Sequence, residues 1–190
     1  MTLEFAAARE NMVENQVRTN DVTDFGVQDA MRLVRRERLC PPARLHLAYA
    51  EAPVEYAPGY YLMEPRDTAK LLQGLRPRPG ERALAIAAPY AAAVLEAMGL
   101  AVTRHDGDDL KTPPAGEFDV VVCEGAVSDV PPAWLAALAP GGRLGVIVRQ
   151  GPAGKMRLYL RSDADIGWRP VFDATPPFLP GFEAQPGFVF

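Results

Sequence analysis

The stretch Ala83-Leu-Ala-Ile-Ala-Ala-Pro-Tyr-Ala-Ala-Ala-Val-Leu-Glu-Ala-Met-Gly99 decides the fold. Its first residues form an apolar run typical of a buried strand, Pro89 marks a sharp turn, and the alanine-rich remainder is typical of a helix. Nucleotide-binding α/β folds begin with this order of elements. No glycine stands at the turn, where a ligand would approach the backbone. The stretch therefore predicts such a fold without its usual turn.

The alternation of strand and helix continues along the chain. Strands are predicted at 82–87, 101–105, 118–123 and 143–148, with helices at 91–98 and 132–138. The Pro140-Gly141-Gly142 sequence is predicted to end the second of these helices. Two segments, 155–161 and 168–174, then predict a closing antiparallel pair of strands. The pattern indicates an α/β fold with a mainly parallel sheet.

The residues before this sheet are predicted to form a helical cap. Apolar residues at helical spacing predict one amphipathic helix over 5–19 and another over 25–36, whose two closing arginines suit a helix end. Residues 43–60 predict a loop or a short edge hairpin, and Glu64-Pro65 opens a further helix. We expect a single domain over 1–190, with a cap at 1–60 and a core at 61–190.

Composition and charge exclude several classes of protein. The net charge is −4 and the basic residues are scattered, which argues against nucleic-acid binding. Cys40 and Cys123 lack the spacing of a disulfide framework or a zinc site, so we expect a cytoplasmic location and no metal. His46 and His105 are isolated and predict no hydrolytic triad. No apolar stretch approaches the roughly 20 residues that a bilayer requires, so no membrane partner is expected.

Three parts of the chain resemble the protein-L-isoaspartate O-methyltransferase family, in particular its short bacterial members. They are residues 11–24 continued by 27–38, residues 61–65, and residues 118–127 together with 138–144. The ending, 172–182 and 187–190, fits the same relatives. The resemblance implies a Rossmann-like class I methyltransferase fold that binds S-adenosylmethionine and methylates a carboxylate on a damaged protein. One helix-strand unit of that fold is expected to be missing, because the interval between His105 and Phe118 is short.

The resemblance places the candidate cofactor residues in three turns. They are Ala87, Ala88, Pro89 and Tyr90 after the first strand, Asp106 after the second, and Glu124 after the strand that begins at Phe118. The family has a glycine-rich loop where this chain has residues 87–92. Pro89 removes an N–H donor there, and Tyr90 puts a large ring where the amino-acid part of the cofactor would lie. Asp106 is the candidate for binding the ribose hydroxyls.

The residues expected to meet the substrate depart from the family pattern as well. Aligning Pro65 puts Met63 and Glu64 where the family has a serine and a glutamine. Methionine cannot donate a hydrogen bond, and Glu64 would repel a carboxylate substrate unless one of the two is protonated. Glu64 could equally be a first-turn acid that favours the helix dipole. Three roles remain open for Glu124: a general base, a cap on the segment that follows it, or a partner for an arginine.

Three departures at independent places favour a methyltransferase fold without methyltransferase chemistry. The leading hypothesis is a non-catalytic interaction or regulatory module without a cofactor. It would bind a protein partner or self-associate through an exposed helix or sheet edge. The first alternative is an active S-adenosylmethionine-dependent carboxyl methyltransferase that uses Glu64 and Glu124. The second alternative is a binder of a different small molecule, with Tyr90, Glu64 and Glu124 around it.

Overall fold

The computed structural model describes residues 2–107 and 109–184, so Asp108 and the predicted closing segment 187–190 lie outside the described residues. The helices are α1 (Thr2–Met12), α2 (Phe25–Leu33), α3 (Pro65–Leu75), α4 (Pro89–Ala97) and α5 (Pro132–Ala136). The strands are β1 (Val54–Ala57), β2 (Tyr60–Leu62), β3 (Arg82–Ile86), β4 (Ala101–His105), β5 (Phe118–Val127), β6 (Leu138–Arg149), β7 (Gly154–Arg161) and β8 (Ile166–Asp173). Short π and 3-10 turns at Val13–Val17 and Arg18–Asn20 extend α1, and 3-10 helices at Arg36–Leu39 and Pro42–Leu47 follow α2.

The large sheet has six strands in the order β4-β3-β5-β6-β7-β8. Strands β4, β3, β5 and β6 are parallel, and β7 and β8 add an antiparallel end. β1 and β2 form a separate hairpin. The predicted α/β architecture is confirmed, because apolar runs such as those of β3 and β5 are buried on both faces of a parallel sheet.

The sheet ends at β4, which pairs with β3 alone. The described residues between His105 and Phe118 contain no helix or strand. They cross to the far side of β3, where Leu110 is buried and its carbonyl accepts a hydrogen bond from the Trp134 indole at 2.7 Å. The prediction of a sheet shortened by one helix-strand unit is thus confirmed.

Both faces of the sheet are covered by apolar side chains. One cluster joins the face under α3 and α4 to buried residues of the N-terminal helices, among them Met12, Val17 and Met31. The other cluster lies on the opposite face around Trp134 of α5 and Phe182. Cys40 and Cys123 are free and buried. Among the described helices, none combines the length and the apolar character needed to cross a bilayer.

The second predicted helix is shorter than its periodicity indicates. α2 ends at Leu33 because Val34 takes an extended backbone, and Arg36 then lies in the interior, fully buried. The prediction that the helix continues to Arg36 is wrong. Phe25, counted on the apolar face, is 75% exposed because the buried face of α2 is formed by residues such as Val27 and Met31.

The Pro140-Gly141-Gly142 sequence does not end a helix. α5 already ends at Ala136, and these three residues lie within β6. A Cβ on Gly142 would lie 2.7 Å from the carbonyl oxygen of Ala139 and 2.8 Å from that of Phe118. Glycine is required there by the close approach of β5 and β6, which the composition of the turn alone does not reveal.

The last described segment closes over the carboxyl end of β5. The N–H of Ala126 donates to the carbonyl of Pro177, and the N–H of Leu179 donates to the carbonyl of Ala126, both at 2.9 Å. Gly125 permits this contact, because its φ is +136° and a Cβ on it would lie 2.8 Å from the Leu179 side chain. The carboxyl edge of β5 is therefore covered by the chain itself.

We predict that Gly125→Ala destabilises the protein by about 3 kcal/mol, since it combines a forbidden backbone conformation with a collision at Leu179. Urea unfolding followed by circular dichroism measures the change. Gly167→Ala is the matched control, because Gly167 has no left-handed φ and open space around its Cβ position. Equal stability of the two variants would contradict the assigned packing of this segment.

Candidate functional site

Glu124 is the centre of the candidate site. It lies within β5 and its side chain is fully buried. One carboxylate oxygen accepts a hydrogen bond from the Thr68 hydroxyl at 2.8 Å. The other accepts the backbone N–H groups of Tyr90 at 3.0 Å and Ala91 at 3.2 Å. The carboxylate therefore binds α3 and the first turn of α4 together.

The local sequence of α4 explains why its first turn needs an acceptor from elsewhere. Ala88 occupies the N-cap position and has no side-chain oxygen, and Pro89 has no N–H. The N–H groups of Tyr90 and Ala91 are then the free donors of the helix, and the helix dipole favours an anion beside them. The Glu124 carboxyl group supplies the acceptor. These contacts are those of a helix cap, here on the helix that precedes Glu124 in the chain.

Tyr90 and Arg36 fill the space behind this contact. The Tyr90 ring is fully buried, and the Arg36 guanidinium carbon lies 4.5 Å from the ring centroid. Arg36 donates from Nε to the carbonyl of Ala48 at 2.8 Å and from Nη2 to that of Met63 at 2.6 Å. Its Nη1 and the Tyr90 hydroxyl have no hydrogen-bond partner among the described residues. Arginine is stable here because two carbonyls and an aromatic face replace its hydration.

The turn between β3 and α4 keeps a backbone suited to glycine. Ala87 has a φ of +45°, in the left-handed region. Ala87 and Ala88 are each 1% exposed, and Ala91 and Ala92 are completely buried. The backbone at the candidate cofactor turn is thus covered by the protein's own atoms. The unusual φ is a feature that sequence analysis missed, because alanine gives no signal of it.

The electrostatics of the site follow from burial. Burial raises the pKa of Glu124 above its usual range, whereas the Arg36 guanidinium and the hydrogen bonds from Thr68, Ala91 and Tyr90 lower it in part. Burial likewise raises the pKa of the Tyr90 hydroxyl. At neutral pH Tyr90 keeps its proton. Glu124 is held in place as a hydrogen-bond acceptor with no exposed surface from which to take a proton from a substrate.

Neither Asp106 nor Glu64 forms a hydrogen bond with Glu124 among the described residues. Asp106 is exposed at the end of β4. Glu64 is half-buried at the N-cap of α3, where it forms a 3.1 Å salt bridge with Arg66 and lines a cavity of about 220 Å³ with Asp67. Neither Tyr90 nor Glu124 lines that cavity. Met63 is completely buried, and its backbone carbonyl accepts a hydrogen bond from Nη2 of Arg36.

The histidines do not form a reactive cluster. The Nε2 atom of His105 is buried and has no hydrogen-bond partner among the described residues, while its backbone carbonyl accepts the N–H of Ala87 at 3.1 Å. In residues 2–107 and 109–184, no three His, Cys, Asp or Glu side chains converge in a way that could hold a metal ion.

Comparison with known proteins gives a consistent set of relatives. The chain is 34% identical to a protein-L-isoaspartate O-methyltransferase of Methylorubrum extorquens, over 80% of this chain and 78% of the relative. It is also 34% identical to the protein of that name in Methylorubrum populi, over 80% of this chain and 84% of the relative. No protein-family model matches.

The fold is also similar to a solved structure. A Plasmodium falciparum protein assigned as a protein-L-isoaspartate O-methyltransferase, solved with S-adenosyl-L-homocysteine, superimposes with a TM-score of 0.74. The superposition covers 90% of this chain and 97% of that one at 17% sequence identity. This similarity concerns the arrangement of the helices and strands.

We predict that Ala87→Gly costs about 1.5 kcal/mol less stability than Ala85→Gly. Both alanines are 1% exposed, so each change removes a buried methyl group. Only at position 87 does glycine relieve a left-handed backbone. Chemical denaturation of the two variants measures the difference, and equal losses would mean that the turn carries no strain.

We predict that Glu124→Gln becomes more stable relative to the wild type as the pH rises above 4.5, the usual pKa of glutamate. A raised pKa in the folded state contributes stability that is present at low pH and is lost as the pH rises through that pKa. Glutamine keeps the acceptor and does not ionise. The difference between the two unfolding free energies should change by at most about 1.4 kcal/mol per pH unit.

Burial raises the pKa of Asp67 to about 6, so Asp67 also titrates in this pH range. It is present in both proteins, and its contribution therefore cancels in the difference between their unfolding free energies. Unfolding curves at several pH values between 4.5 and 8 provide the data. A stability difference that does not vary with pH would refute a raised pKa at Glu124.

Proposed function

Because the chain belongs to the protein-L-isoaspartate O-methyltransferase family, we propose that it keeps the fold of that family while its own side chains take the place of the cofactor. It then acts as a non-catalytic interaction or regulatory module. The cysteines, both free and buried, agree with the cytoplasmic location expected for such a module.

The observation that carries the proposal is the Glu124 carboxylate on the first turn of α4. Open α/β sheets bind ligands at the carboxyl ends of their strands, with anionic groups on the N–H donors of the following helix. Here a buried carboxylate already uses the donors of Tyr90 and Ala91. A ligand with a carboxylate of its own would have to displace Glu124, which has no solvated position at hand.

The surroundings of Glu124 support the same proposal. The positions where the family has a glycine-rich loop are occupied by buried alanines and by the Tyr90 ring, which Arg36 covers. Opening this space for S-adenosylmethionine would move the Tyr90 ring off the buried Arg36 guanidinium, whose Nη1 has no hydrogen-bond partner among the described residues. Such an opening is costly, because the buried charge would lose part of what replaces its hydration.

The substrate side lends further support. Met63 is buried and offers no side-chain donor to a carboxylate. The Glu64 carboxylate is already paired with Arg66 and, as an acceptor, offers no donor to an isoaspartyl carboxylate. These residues lack the donors that carboxyl methylation requires for positioning its substrate.

The interaction role is supported by exposed apolar residues on the N-terminal helices. Phe25 is 75% exposed and Leu33 is 72% exposed, and they stand at the two ends of α2. Both side chains are therefore available for contact with a partner. The molecule that covers them would be another protein or a second copy of this chain.

An active methyltransferase is the alternative function. It is favoured by the family membership and by the left-handed backbone at Ala87, which a glycine-rich cofactor loop would require. This alternative needs Glu124 and Tyr90 to move on ligand binding. The alternative in which Tyr90, Glu64 and Glu124 surround another small molecule has weaker support, since Glu64 faces a separate cavity.

Isothermal titration calorimetry with S-adenosylmethionine, and separately with S-adenosylhomocysteine, tests the proposal. We expect no binding heat from either ligand, because Glu124 and Tyr90 fill the site. A methyltransferase-active family member serves as the positive control, and circular dichroism establishes that the protein is folded. Micromolar binding, about −8 kcal/mol, would refute the proposal and would be followed by methyl-transfer assays on isoaspartyl peptides.

A further inference from the structure

A groove between α3 and β8 lies at the amino edge of the parallel strands, away from Glu124. Two cavities form it, of about 650 Å³ and 430 Å³, and they share Gly74, Arg76 and Arg169 as lining residues. β8 lines the groove from Gly167 to Phe172, which spans about 16 Å of extended chain. The α3–β8 groove is thus long enough for several residues of an extended peptide.

The charge of the α3–β8 groove is opposite to that of the whole protein. Its lining includes Arg76, Arg78 and Arg169, all exposed, and Lys70. In the part of the chain that the structure describes, these four cations form no salt bridge. In a protein of net charge −4, a concentration of unpaired cations in one groove favours an anionic ligand.

The acids of the α3–β8 groove are already engaged. Both carboxylate oxygens of Glu81 accept hydrogen bonds from Arg143, at 2.9 Å and 2.7 Å. Burial opposes ionisation of Glu81, but the bonds from Arg143 and from the Arg78 backbone N–H lower its pKa below the usual value. Asp24 caps α2 by accepting the N–H of Val27. Arg143 thus neutralises Glu81, and among the lining residues only the charge of Asp24 remains against the four cations.

The floor of the α3–β8 groove is apolar. Leu160 is 53% exposed and Val171 is 38% exposed, and Leu158 lies between the two on the same face of the sheet. Gly74 keeps the groove open, since a Cβ there would lie 3.3 Å from Met156 Cε and 3.8 Å from Val171 Cγ1. A ligand that fits this floor carries apolar groups beside its negative charges.

From this geometry we propose that the α3–β8 groove binds an extended acidic peptide segment of a partner protein, with carboxylates on the arginines and an apolar side chain on the floor. Arginine forks match carboxylates in a bidentate way. A single-stranded nucleic acid fits less well because it needs aromatic platforms. Trp168 and Phe172 line the groove, but cations already cover their rings: Arg157 lies over Trp168 and Lys70 over Phe172.

Fluorescence anisotropy with labelled peptides tests the proposal on the full chain. One probe alternates Glu with Leu, and its counterpart has Lys in place of Glu. We expect only the acidic probe to bind, with an affinity that falls several-fold as the salt concentration rises, because the contacts are exposed ion pairs. Equal binding of the two probes would overturn the proposal.

Three variants locate the binding. Arg169→Glu should weaken the acidic probe about tenfold, since an attraction becomes a repulsion. Gly74→Leu should weaken it by a similar factor without a change in charge, because the new side chain fills the junction of the two cavities. Arg38→Glu is the matched control and should stay within about twofold, because Arg38 is exposed and lines neither cavity. Thermal unfolding checks that each variant is folded.

Several results would overturn the proposal. They are unchanged binding in both groove variants, tighter binding of a single-stranded oligonucleotide at the same site, and a dimer in sedimentation analysis that Arg169→Glu dissolves. The inference rests on the proposed interaction role, but the two fail separately. Binding heat with S-adenosylmethionine would refute the proposed loss of cofactor binding without affecting the proposal for the groove. Absence of peptide binding would refute the peptide site alone.

Discussion

The Glu124 carboxylate is the contact on which the rest of the structure depends. It joins β5 to α3 through Thr68 and to α4 through two backbone N–H groups, all within the interior. An ionisable group placed there is tolerated only because every neighbouring element supplies a donor or a positive charge. Arg36 supplies that charge from the N-terminal half of the chain, across the Tyr90 ring. The N-terminal residues 1–60 and the sheet-containing residues 61–190 are thereby joined by the same buried network.

The two edges of the sheet differ in the groups that they leave available for binding. At the carboxyl edge, the protein's own residues use the donors that such folds offer to ligands, and the segment around Leu179 covers the end of β5. At the amino edge, the groove between α3 and β8 contains cations that form no salt bridge with the described residues. Thr68 and Arg76 stand at opposite ends of the same helix, so α3 is part of the closed edge and of the open one. The proposed peptide groove therefore lies at the amino edge of the sheet, whereas such folds usually bind ligands at the carboxyl edge.

Fold and site were not equally predictable. Each strand from β3 to β8 overlaps a predicted strand, because burial on one or two faces of a sheet imposes apolar runs or alternation over many residues. The start of β6 at Leu138 was missed, since the helix was predicted to reach that residue. The site rests on a few residues whose neighbours come from distant parts of the chain. Arg36 shows the difference: its sequence context predicts the C-terminal end of a helix, yet its partners are the carbonyls of Ala48 and Met63.

By itself the sequence determined the α/β order, the missing helix-strand unit and the absence of glycine from the turn after β3, since each depends on residues near one another in the chain. Only the tertiary structure decided what replaces the glycine. It showed that Ala87 keeps the left-handed backbone, that Glu124 caps the preceding helix, and that unpaired arginines gather beside Gly74. The physical reason is that hydrogen bonds and charge pairs act over a few ångströms in space, whatever the separation along the chain.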